Sequence, residues 1–370
     1  MQRDQDGEHH GGVAACEGKD GKDRQAGHGG DDIGAQPRPL PFRFTGSGSE
    51  YFRIWIVNTL LTLVTFGIYS AWAKVRTLQY FYRNTRLDGA TFDYHGKPLA
   101  ILKGRIIVFV LIGAFQWLGQ VRPGLAILLL LLAAAVMPLL LVRSLRFRMA
   151  NSSYRGLRFA FRGSDREGYQ VFLLWPVLTV LSLGLLTPFA HRRLKQFQHG
   201  NTRFGTAPFS FEATAGAFFR VYAGTSLLAV LLVGAGALLG ALAGAVTGHA
   251  GLIALAVSIG VVLSVSLAAP FFRARLQNVV WNHTALAPHR FRSDVGTGRL
   301  FYIMLTNMIL IALTLGLFMP FARVRTARYC VESMTLMAAG PLDHFIAGEV
   351  DQVGALGDAA VDWYDIDIAL

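Results

Sequence analysis

Four long apolar runs constrain the fold of this chain more than any other feature, because none of them contains Asp, Glu, Lys or Arg. Most approach the roughly 20 residues that an α-helix needs to cross a bilayer. The runs are Ile106–Gly119, Leu125–Val142, Leu227–Val246 and Leu252–Ala269. With 53% hydrophobic and 16% charged residues over 370 positions, the chain is also too apolar for an ordinary soluble enzyme. The sequence therefore predicts a multi-pass membrane protein.

The basic residues, which give the chain a net charge of +12, lie between the apolar runs. This placement is the positive-inside pattern, in which Lys and Arg stay on the cytoplasmic side of a membrane. A nucleic-acid-binding protein would instead gather them in one stretch among stacking aromatic residues. We therefore expect no nucleic-acid partner.

Polar segments flank the apolar part of the chain. Residues 1–40 lack the apolar core of a signal peptide, and their Gly, Asp, His and Lys content predicts a disordered cytoplasmic tail. Residues 349–370 are acidic, and they could fold back on the basic linkers or dock a partner. The two cysteines, Cys16 and Cys330, imply no disulfide framework.

One phrase occurs three times, as TFGIYSAWAKVR from Thr65, SLGLLTPFAHRR from Ser182 and TLGLFMPFARVR from Thr314. In each copy a Gly follows two residues after the Thr or Ser, and an Arg follows nine residues after that Gly. The three arginines are Arg76, Arg193 and Arg325, and two further apolar runs end in a related way at Arg143 and Arg275. The sequence thus predicts an internally repeated membrane protein.

Short aromatic segments follow the basic stretches, after an Asn-Thr or similar pair that ends each helix. They begin at Phe92, Phe159, Phe209 and Phe291, and a fifth begins at Phe42. Their alternation is typical of half-buried strands, which could pair at the membrane surface, although loops anchored among the headgroups fit nearly as well. We predict an all-α polytopic fold with short strands at the surface. Its membrane domain is 41–348, divided into repeats 41–163, 164–295 and a partial 296–348.

The topology is open between two alternatives, because seven crossings would separate basic linkers that all favour the cytoplasm. Either seven spans cross the membrane, or four cross and the three segments with the repeated phrase are re-entrant, with a break at Thr-x-Gly. The seven segments are Ile54–Ala73, Ile106–Gly119, Leu125–Val142, Val171–Ala190, Ala217–Val246, Leu252–Phe272 and Leu300–Ala322.

Catalytic signatures are missing from the sequence. Away from their ends the apolar runs carry no ionisable residue, and none of the familiar hydrolase, phosphate-binding or metal-binding motifs occurs. We therefore expect neither an enzyme nor a cofactor or metal site.

Three groups of residues are candidates for other roles. Asn58, Trp175 and Asn307 form a candidate polar site within the membrane, although bridging helices is the more ordinary role for such residues. The five arginines would set topology, bind anionic lipid headgroups, or both. Gly236, Gly240 and Gly244 would let a second backbone pack closely, within their own helical hairpin or between two copies of the chain.

The residues after Pro41 resemble the YjgN family of bacterial inner-membrane proteins, a family of unknown function. The resemblance is carried by PFRFTGSGSEYFRIWIVNTLLTLVTFGIYSAWAKVR, by the NTRLDGATFDYHG that follows, and by TLGLFMPFARVRTARY near the end. It implies a multi-pass protein of the bacterial cytoplasmic membrane and supplies no activity or cofactor.

Two hypotheses for the function follow. The first is a non-enzymatic scaffold or regulator that binds anionic lipids, another membrane protein or a second copy of itself. The second is a facilitative channel or transporter for a small solute, built on the internal repeats.

Overall fold

The computed structural model describes residues 37–249 and 251–352. Of the predicted tails, residues 1–36 and 353–370 lie outside these residues. The predicted disordered tail ended at residue 40, but residues 38–40 belong to a strand, and residues 349–352 of the predicted acidic tail belong to a helix.

A single antiparallel sheet connects the helices of the described chain, so the prediction of an all-α fold with short surface strands is confirmed in part: the chain is mostly helical, but the strands form one eleven-stranded sheet. The aromatic segments do not remain isolated. Those at Phe92, Phe159, Phe209 and Phe291 each form a hairpin with a three-residue strand that starts at the second residue of the Asn-Thr or similar pair. In order across the sheet the eleven strands of the described chain are β1, β11, β10, β9, β8, β7, β6, β5, β4, β3 and β2. Their bounds are β1 Arg38–Pro41, β2 Arg43–Phe44, β3 Thr85–Leu87, β4 Ala90–Tyr94, β5 Ser152–Tyr154, β6 Leu157–Phe161, β7 Thr202–Phe204, β8 Ala207–Phe211, β9 Thr284–Leu286, β10 His289–Ser293 and β11 Met334–Ala338.

The sheet closes on itself through its first two strands, which are separated in sequence by Phe42 alone. β1 pairs with β11, and β2 pairs with β3, so one short stretch of chain joins the two ends of the sheet. The Phe42 N–H also donates to the Met334 carbonyl at 3.0 Å, which continues the ladder between the two strands. Closure of this kind leaves no open edge that could pair with another chain.

Five helical hairpins leave the sheet, each running out from one strand and returning to the strand paired beside it. Helices of neighbouring hairpins pack in the same cyclic order as the strands: α2 with α3, α4 with α5, α7 with α8, α9 with α10, and α11 with α1. The bounds are α1 Gly48–Val64, α2 Ser70–Arg83, α3 Pro98–Val121, α4 Pro123–Ala150, α5 Asp165–Tyr169, α6 Trp175–Leu181, α7 Thr187–Gly200, α8 Ala215–Thr247, α9 Gly251–Asn282, α10 Thr297–Leu313 and α11 Met319–Glu332, with a π-helical turn Gln170–Leu174 joining α5 to α6.

Four helices in the described chain, α3, α4, α8 and α9, are apolar and long enough to cross a membrane. They contain 24, 28, 33 and 32 residues and include the four runs predicted from the sequence. The prediction of seven apolar segments is not confirmed, since each of the other three is interrupted and gives two shorter helices joined by a turn.

The Asn-Thr pairs end helices because both side chains bond back to carbonyls of the last turn. After α2, the Asn84 amide nitrogen donates to the Tyr80 carbonyl at 2.8 Å, and the Thr85 hydroxyl donates to the Phe81 carbonyl at 2.8 Å. Carbonyls that lose their helical partner at a C-terminus are satisfied in this way. Thr85 is also the first residue of β3, so the pair ends a helix and begins a strand.

Aromatic side chains form a closed circle inside the sheet. Successive ring centroids lie 4.6 to 6.4 Å apart in the order Phe42, Phe92, Tyr154, Phe204, Phe159, Phe209, Phe291 and back to Phe42. The alternation of the strands points these rings inward, while the residues between them face outward. The rings therefore form the core of the closed sheet. We call the closed sheet the barrel.

A last helical segment, residues 342–352, caps the barrel at the end where its β-hairpins turn. Leu342 and Ile346 are buried in the same core, and the Phe345 ring meets His289 edge to face at 4.7 Å. Glu349 is buried as well, with Oε2 accepting from the N–H groups of Thr206 at 2.6 Å and Ala207 at 3.0 Å. We call this segment the cap helix.

Candidate membrane interface

The first helical hairpin turns through a compact motif built on the Thr-x-Gly of the repeated phrase. The Thr65 hydroxyl donates to the Leu61 carbonyl at 2.7 Å and accepts from the Tyr69 N–H at 2.9 Å, so one side chain bonds to both arms. Phe66 and Gly67 have φ of 49° and 89°. A left-handed conformation is natural for Gly but strained for other residues, which explains the fixed place of the Gly.

The other two copies of the phrase form the same turn. In the second, the Ser182 hydroxyl accepts from the Leu186 N–H at 3.1 Å, and in the third the Thr314 hydroxyl accepts from the Phe318 N–H at 2.9 Å. The two residues that follow each are again left-handed, with φ of 53° and 87° in the second copy and of 50° and 94° in the third. The repeated phrase therefore encodes a tight turn between two helices.

The tips of these three hairpins are apolar and almost fully exposed. Phe66 is 98% exposed, Leu183 is 94% exposed and Leu315 is 95% exposed. Backbone hydrogen bonds close each turn, as when the Gly67 N–H donates to the Thr62 carbonyl at 2.7 Å. A bilayer tolerates a helix break only when the freed polar groups are satisfied nearby. These tips meet that requirement from their own residues.

The five predicted arginines occupy equivalent heights above the sheet. Each lies on the returning helix of its hairpin, eight residues before the residue that ends the helix, which corresponds to a rise of about 12 Å. Arg76, Arg143, Arg193 and Arg275 are exposed, and Arg325 is half-buried. None of them joins a salt bridge with another residue of the described chain. We call this set the arginine belt.

Aromatic rings lie under three members of the belt. The guanidinium carbon of Arg76 is 5.8 Å from the centre of the Tyr69 ring, and that of Arg325 is 6.0 Å from the centre of the Phe318 ring. Arg275 lies similarly over Phe271. A cation held over a ring face is directed without being neutralised. Arg76 and Arg275, which are exposed, therefore keep their charge available to an anion, whereas Arg325 also donates hydrogen bonds to Asn307 and Thr306.

The three predicted polar residues lie on three different hairpins, and no hydrogen bond in the described chain joins any two of them. Asn307, on α10, donates to the Ala322 carbonyl at 3.2 Å and to the Thr326 hydroxyl at 3.1 Å. Its amide oxygen accepts from Arg325 at 2.8 Å, so two predicted residues meet here. Trp175 is half-buried where the π-helical turn gives way to α6. The common membrane site predicted for these residues stays a prediction.

Asn58 on α1 differs from Asn307 in its surroundings. It is only 5% exposed, yet neither of its amide atoms has a hydrogen-bond partner in the described chain. It borders a cavity of about 700 Å³ that also reaches Ser70, Lys74 and Arg323, none of which was predicted to lie near Asn58. The spacing of Ser70 from the repeated Gly could have indicated it, since α1 and α2 carry hydroxyls at helical intervals on either side of the turn, whereas Arg323 lies on α11 and only the fold brings it here.

The three glycines pack within their own hairpin. A Cβ added at Gly236 would stand 2.6 Å from the Ala256 carbonyl oxygen, and one added at Gly240 would stand 2.8 Å from the Ile253 Cα. Both neighbours belong to α9, so these glycines let α8 and α9 approach closely. Gly244 lies near the end of α8, where an added Cβ would stand 3.3 Å from the His249 carbonyl oxygen.

The sequence profile of the family described as "Bacterial protein of unknown function (DUF898)" matches residues 39–363. The chain belongs to this family. Among its relatives, the Inner membrane protein YjgN of Salmonella typhimurium is 34% identical over 141 residues, which are 38% of this chain and 36% of that protein. The Inner membrane protein YjgN of Escherichia coli K12 is 30% identical over 149 residues, which are 39% of this chain and 36% of that protein.

These comparisons confirm the resemblance to the YjgN family. The match spans about a third of the length of the curated relatives, and no solved structure matches the chain. With relatives that are inner-membrane proteins and with four helices long enough to span a bilayer, this DUF898 member is a multi-pass protein of the bacterial inner membrane.

Proposed function

We propose that the protein is a non-enzymatic lipid-binding scaffold, with four helices that span the inner membrane and three hairpins that enter it from one side only. The observation that carries the proposal is the form of those hairpins: both arms join neighbouring strands of one sheet, while the tips between the arms are apolar and exposed. A segment that leaves a sheet and returns to it does not change sides.

The length of the hairpins supports re-entry. Their longest helices, α1 and α10, have 17 residues each and rise about 26 Å, less than the roughly 30 Å of hydrocarbon that a spanning helix crosses. The interior break at Thr-x-Gly fits the same arrangement. Four spans and three re-entrant hairpins also leave every basic linker on one side, which the positive-inside rule makes the cytoplasm.

Uncovered apolar surface supports contact with lipid around the spans. No residue of α3 is buried, and the five consecutive residues Ile106 to Val110 are all exposed. Successive residues of a helix point about 100° apart, so five of them cover every side. Acyl chains are the natural cover for such a helix in a bilayer, because they match its apolar surface.

The arginine belt supports selection of anionic lipid. Its five cationic side chains stand at one height between the apolar tips and the barrel, where headgroups would lie. Each basic residue near an anionic surface contributes about 1 kcal/mol to binding. Five together would give a marked preference for phosphatidylglycerol over a zwitterionic lipid.

The alternation of short and long hairpins also fits the predicted repeats. Hairpins α1–α2, α5–α7 and α10–α11 carry the repeated turn, whereas α3–α4 and α8–α9 are the long pairs. A duplicated unit of one short and one long hairpin, followed by a further short one, would give this order.

The test is lipid selection in nanodiscs of mixed phosphatidylglycerol and phosphatidylethanolamine. We expect replacement of all five belt arginines by Gln to abolish enrichment of phosphatidylglycerol around the protein, measured by lipid mass spectrometry. The matched control replaces five exposed arginines on the outer face of the barrel, which removes the same charge away from the headgroups: Arg43, Arg86, Arg158, Arg290 and Arg292. Equal enrichment in the belt variant and the control would refute the proposal.

A facilitative path for a small solute is the second candidate. It is favoured by one observation, namely that the sheet and the helices close in the same cyclic order, which leaves a shared centre. The double variant Asn58→Leu and Asn307→Leu should abolish solute flux into proteoliposomes if this candidate holds. Flux that is absent from the parent protein too would leave the scaffold as the better account.

A further inference from the structure

The cavity at the first hairpin combines polar, cationic and apolar groups in a graded order. It lies between α1, α2 and α11 and has a volume of about 700 Å³. Thr77, Lys74 and Arg323 stand toward the barrel, Thr59, Thr62 and Ser70 lie nearer the tip, and Leu63 and Phe66 stand at the tip. The hydroxyl-bearing residues of its wall are Thr59, Thr62, Ser70 and Thr77.

Asn58 shows that the wall has unused hydrogen-bonding capacity. Its amide nitrogen and oxygen are buried without a partner in the described chain. A buried polar group left unpaired loses its hydrogen bonds to water without replacement, so most such groups in folded proteins are paired. Both atoms are screened from solvent, although the residue lines the cavity.

The hairpin α10–α11 provides an internal comparison, because Asn307 holds the equivalent position nine residues before the repeated Gly. There, Arg325 reaches both the amide oxygen of Asn307 and the Thr306 hydroxyl, at 2.8 and 3.2 Å. At the first hairpin Val57 takes the place of Thr306, and Arg76 is exposed. The hairpin α10–α11 therefore supplies hydrogen-bond partners for its own asparagine, whereas the hairpin α1–α2 leaves Asn58 without partners in the described chain beside a cavity.

The chemistry of this wall selects an amphiphile with an anionic head. Lys74 and Arg323 are both exposed, and neither joins a salt bridge within the described chain. Ammonium and guanidinium groups pair well with phosphate oxygens. An amide offers a donor and an acceptor together, which suits the ester and hydroxyl groups of a glycerol backbone. On the side of the hairpin tip, the wall of the cavity is apolar and leads toward the proposed position of the acyl chains.

We propose that this cavity binds the glycerophosphate head of one phospholipid, with its phosphate between Lys74 and Arg323 and its glycerol against the hydroxyl groups and Asn58. The inference rests on the proposed lipid-binding function and adds to it a single defined site. Lipid at the arginine belt is exchangeable and collective, whereas lipid in the cavity is one molecule held by named side chains.

The first experiment measures binding of phosphatidylglycerol with brominated acyl chains to the purified full chain in detergent, through quenching of Trp55 in the cavity wall. The other tryptophans, Trp72, Trp117, Trp175, Trp281 and Trp363, are replaced by Phe. We expect saturable quenching with one lipid per chain. The variant Lys74→Gln with Arg323→Gln should weaken the affinity about tenfold, and Arg86→Gln with Arg158→Gln on the barrel is its matched control.

The sources of the phosphate are separated by competition. Soluble glycerol 3-phosphate at millimolar concentration should leave the quenching unchanged, because it lacks the acyl chains. Displacement by this compound would overturn the lipid assignment in favour of a soluble organophosphate. Unchanged affinity in the Lys74 and Arg323 variant would overturn the site itself.

Asn58→Leu provides a second test, in which weaker lipid binding could not be explained by loss of folding. Removing a buried unpaired amide should leave the melting temperature without lipid unchanged or higher, while lipid affinity falls about threefold as one hydrogen bond is lost. Asn307→Leu, whose amide is fully bonded, should lower the melting temperature. If Asn58→Leu binds lipid as well as the parent, the proposed role of Asn58 fails.

The outcome for the cavity is distinguishable from the outcome for the scaffold. Loss of phosphatidylglycerol enrichment in the belt variant, together with normal affinity in the cavity variant, would keep the proposed function and reject the defined site. Unchanged behaviour in both variants would reject both.

Discussion

At the tips of the three hairpins that carry the repeated phrase, a single substitution has the clearest expected consequence, because two residues there are left-handed. The turn requires φ near +50° from Phe66, Leu183 or Leu315, and φ near +90° from the Gly that follows. The two arms of each hairpin are packed and their ends are fixed in the sheet, so they hold the apolar residue in a conformation that would otherwise be strained.

Replacement of Gly67 by Ala tests this turn, because an added Cβ would meet nothing within 4 Å. The change therefore alters the backbone energy alone, and we expect it to destabilise the folded protein by about 1 kcal/mol. Gly104→Ala is the matched control, since Gly104 lies inside α3 with equally open surroundings. There, Ala should stabilise the helix slightly. Thermal unfolding in detergent measures both, and equal effects would contradict the assigned turn.

The short helical hairpin is the element whose topology matters most. Ser164 precedes α5 and Gln198 lies near the end of α7, so both ends of the hairpin α5–α7 stand beside the paired strands β6 and β7. A crossing segment would place these two residues on opposite sides of the membrane, whereas a re-entrant one keeps them together.

Single cysteines at Ser164 and at Gln198 decide between these two arrangements. Cys16 and Cys330 are first replaced by Ser, and intact cells are treated with a membrane-impermeant thiol reagent. We expect both sites to stay protected until the cells are opened, because the barrel faces the cytoplasm in the proposed function. Labelling of only one site in intact cells would show that Val171–Ala190 crosses, and the seven-span alternative would stand.

The cap helix is held by one buried carboxylate. Glu349 accepts two N–H groups and the Thr206 hydroxyl at the β7–β8 turn. We expect Glu349→Gln to loosen this helix by roughly 1–2 kcal/mol, since hydrogen bonds to a charged acceptor exceed those to a neutral one. Hydrogen exchange of residues 342–352 measures the change. Asp351→Asn, at an exposed position of the same helix, should leave the exchange rates unchanged.

Acid should loosen the cap helix through His289. Burial lowers the pKa of His289 below its ordinary value of 6.5, and its Nδ1 accepts from the Ala339 N–H at 3.2 Å. The neutral ring is therefore the form the fold stabilises, and this contribution is present above pH 6.5 and is lost as the pH falls through the lowered pKa. On acidification, exchange at residues 342–352, taken relative to the intrinsic amide rate, should rise more in the parent than in His289→Asn, which lacks the titrating ring but keeps Arg155, Asp343 and Glu349.

The sequence predicts the spans of the whole molecule better than its sheet. Apolar runs such as Leu125–Val142 identify themselves by length and lack of charge, and the alternation at Phe159 indicates a strand. The partner strands β3, β5, β7 and β9 have only three residues each, too few for a periodic signal. Closure is less visible still, because it joins residues almost 300 positions apart, and no local pattern records such pairing.

The cavity at Asn58 illustrates the same limit. Asn58 and Asn307 share one sequence context, yet Asn307 is hydrogen-bonded and Asn58 is not. Asn307 finds its partners in Ala322, Arg325 and Thr326, whereas Asn58 has no hydrogen-bond partner in the described chain, although Ala73 and Thr77 stand at the positions equivalent to Ala322 and Thr326. The sequence indicates both residues as polar within the membrane, and only packing across the closed ring separates their roles.

Closure of the barrel is the property on which the whole arrangement depends, and a cross-strand disulfide tests it. Pro41 of β1 stands opposite Thr335 of β11 in the register, so their side chains share one face of the sheet. Opposed residues of an antiparallel pair have Cβ atoms about 4.5–5.5 Å apart, which is near the distance a disulfide needs. With Cys16 and Cys330 replaced by Ser, we expect Pro41→Cys with Thr335→Cys to cross-link quickly under mild oxidation, as peptide mass spectrometry would detect.

The control pair, Pro41→Cys with Met337→Cys, is displaced by two residues and should react far more slowly. Equal rates would mean that β1 and β11 do not pair in this register, and the sheet would then be open between them.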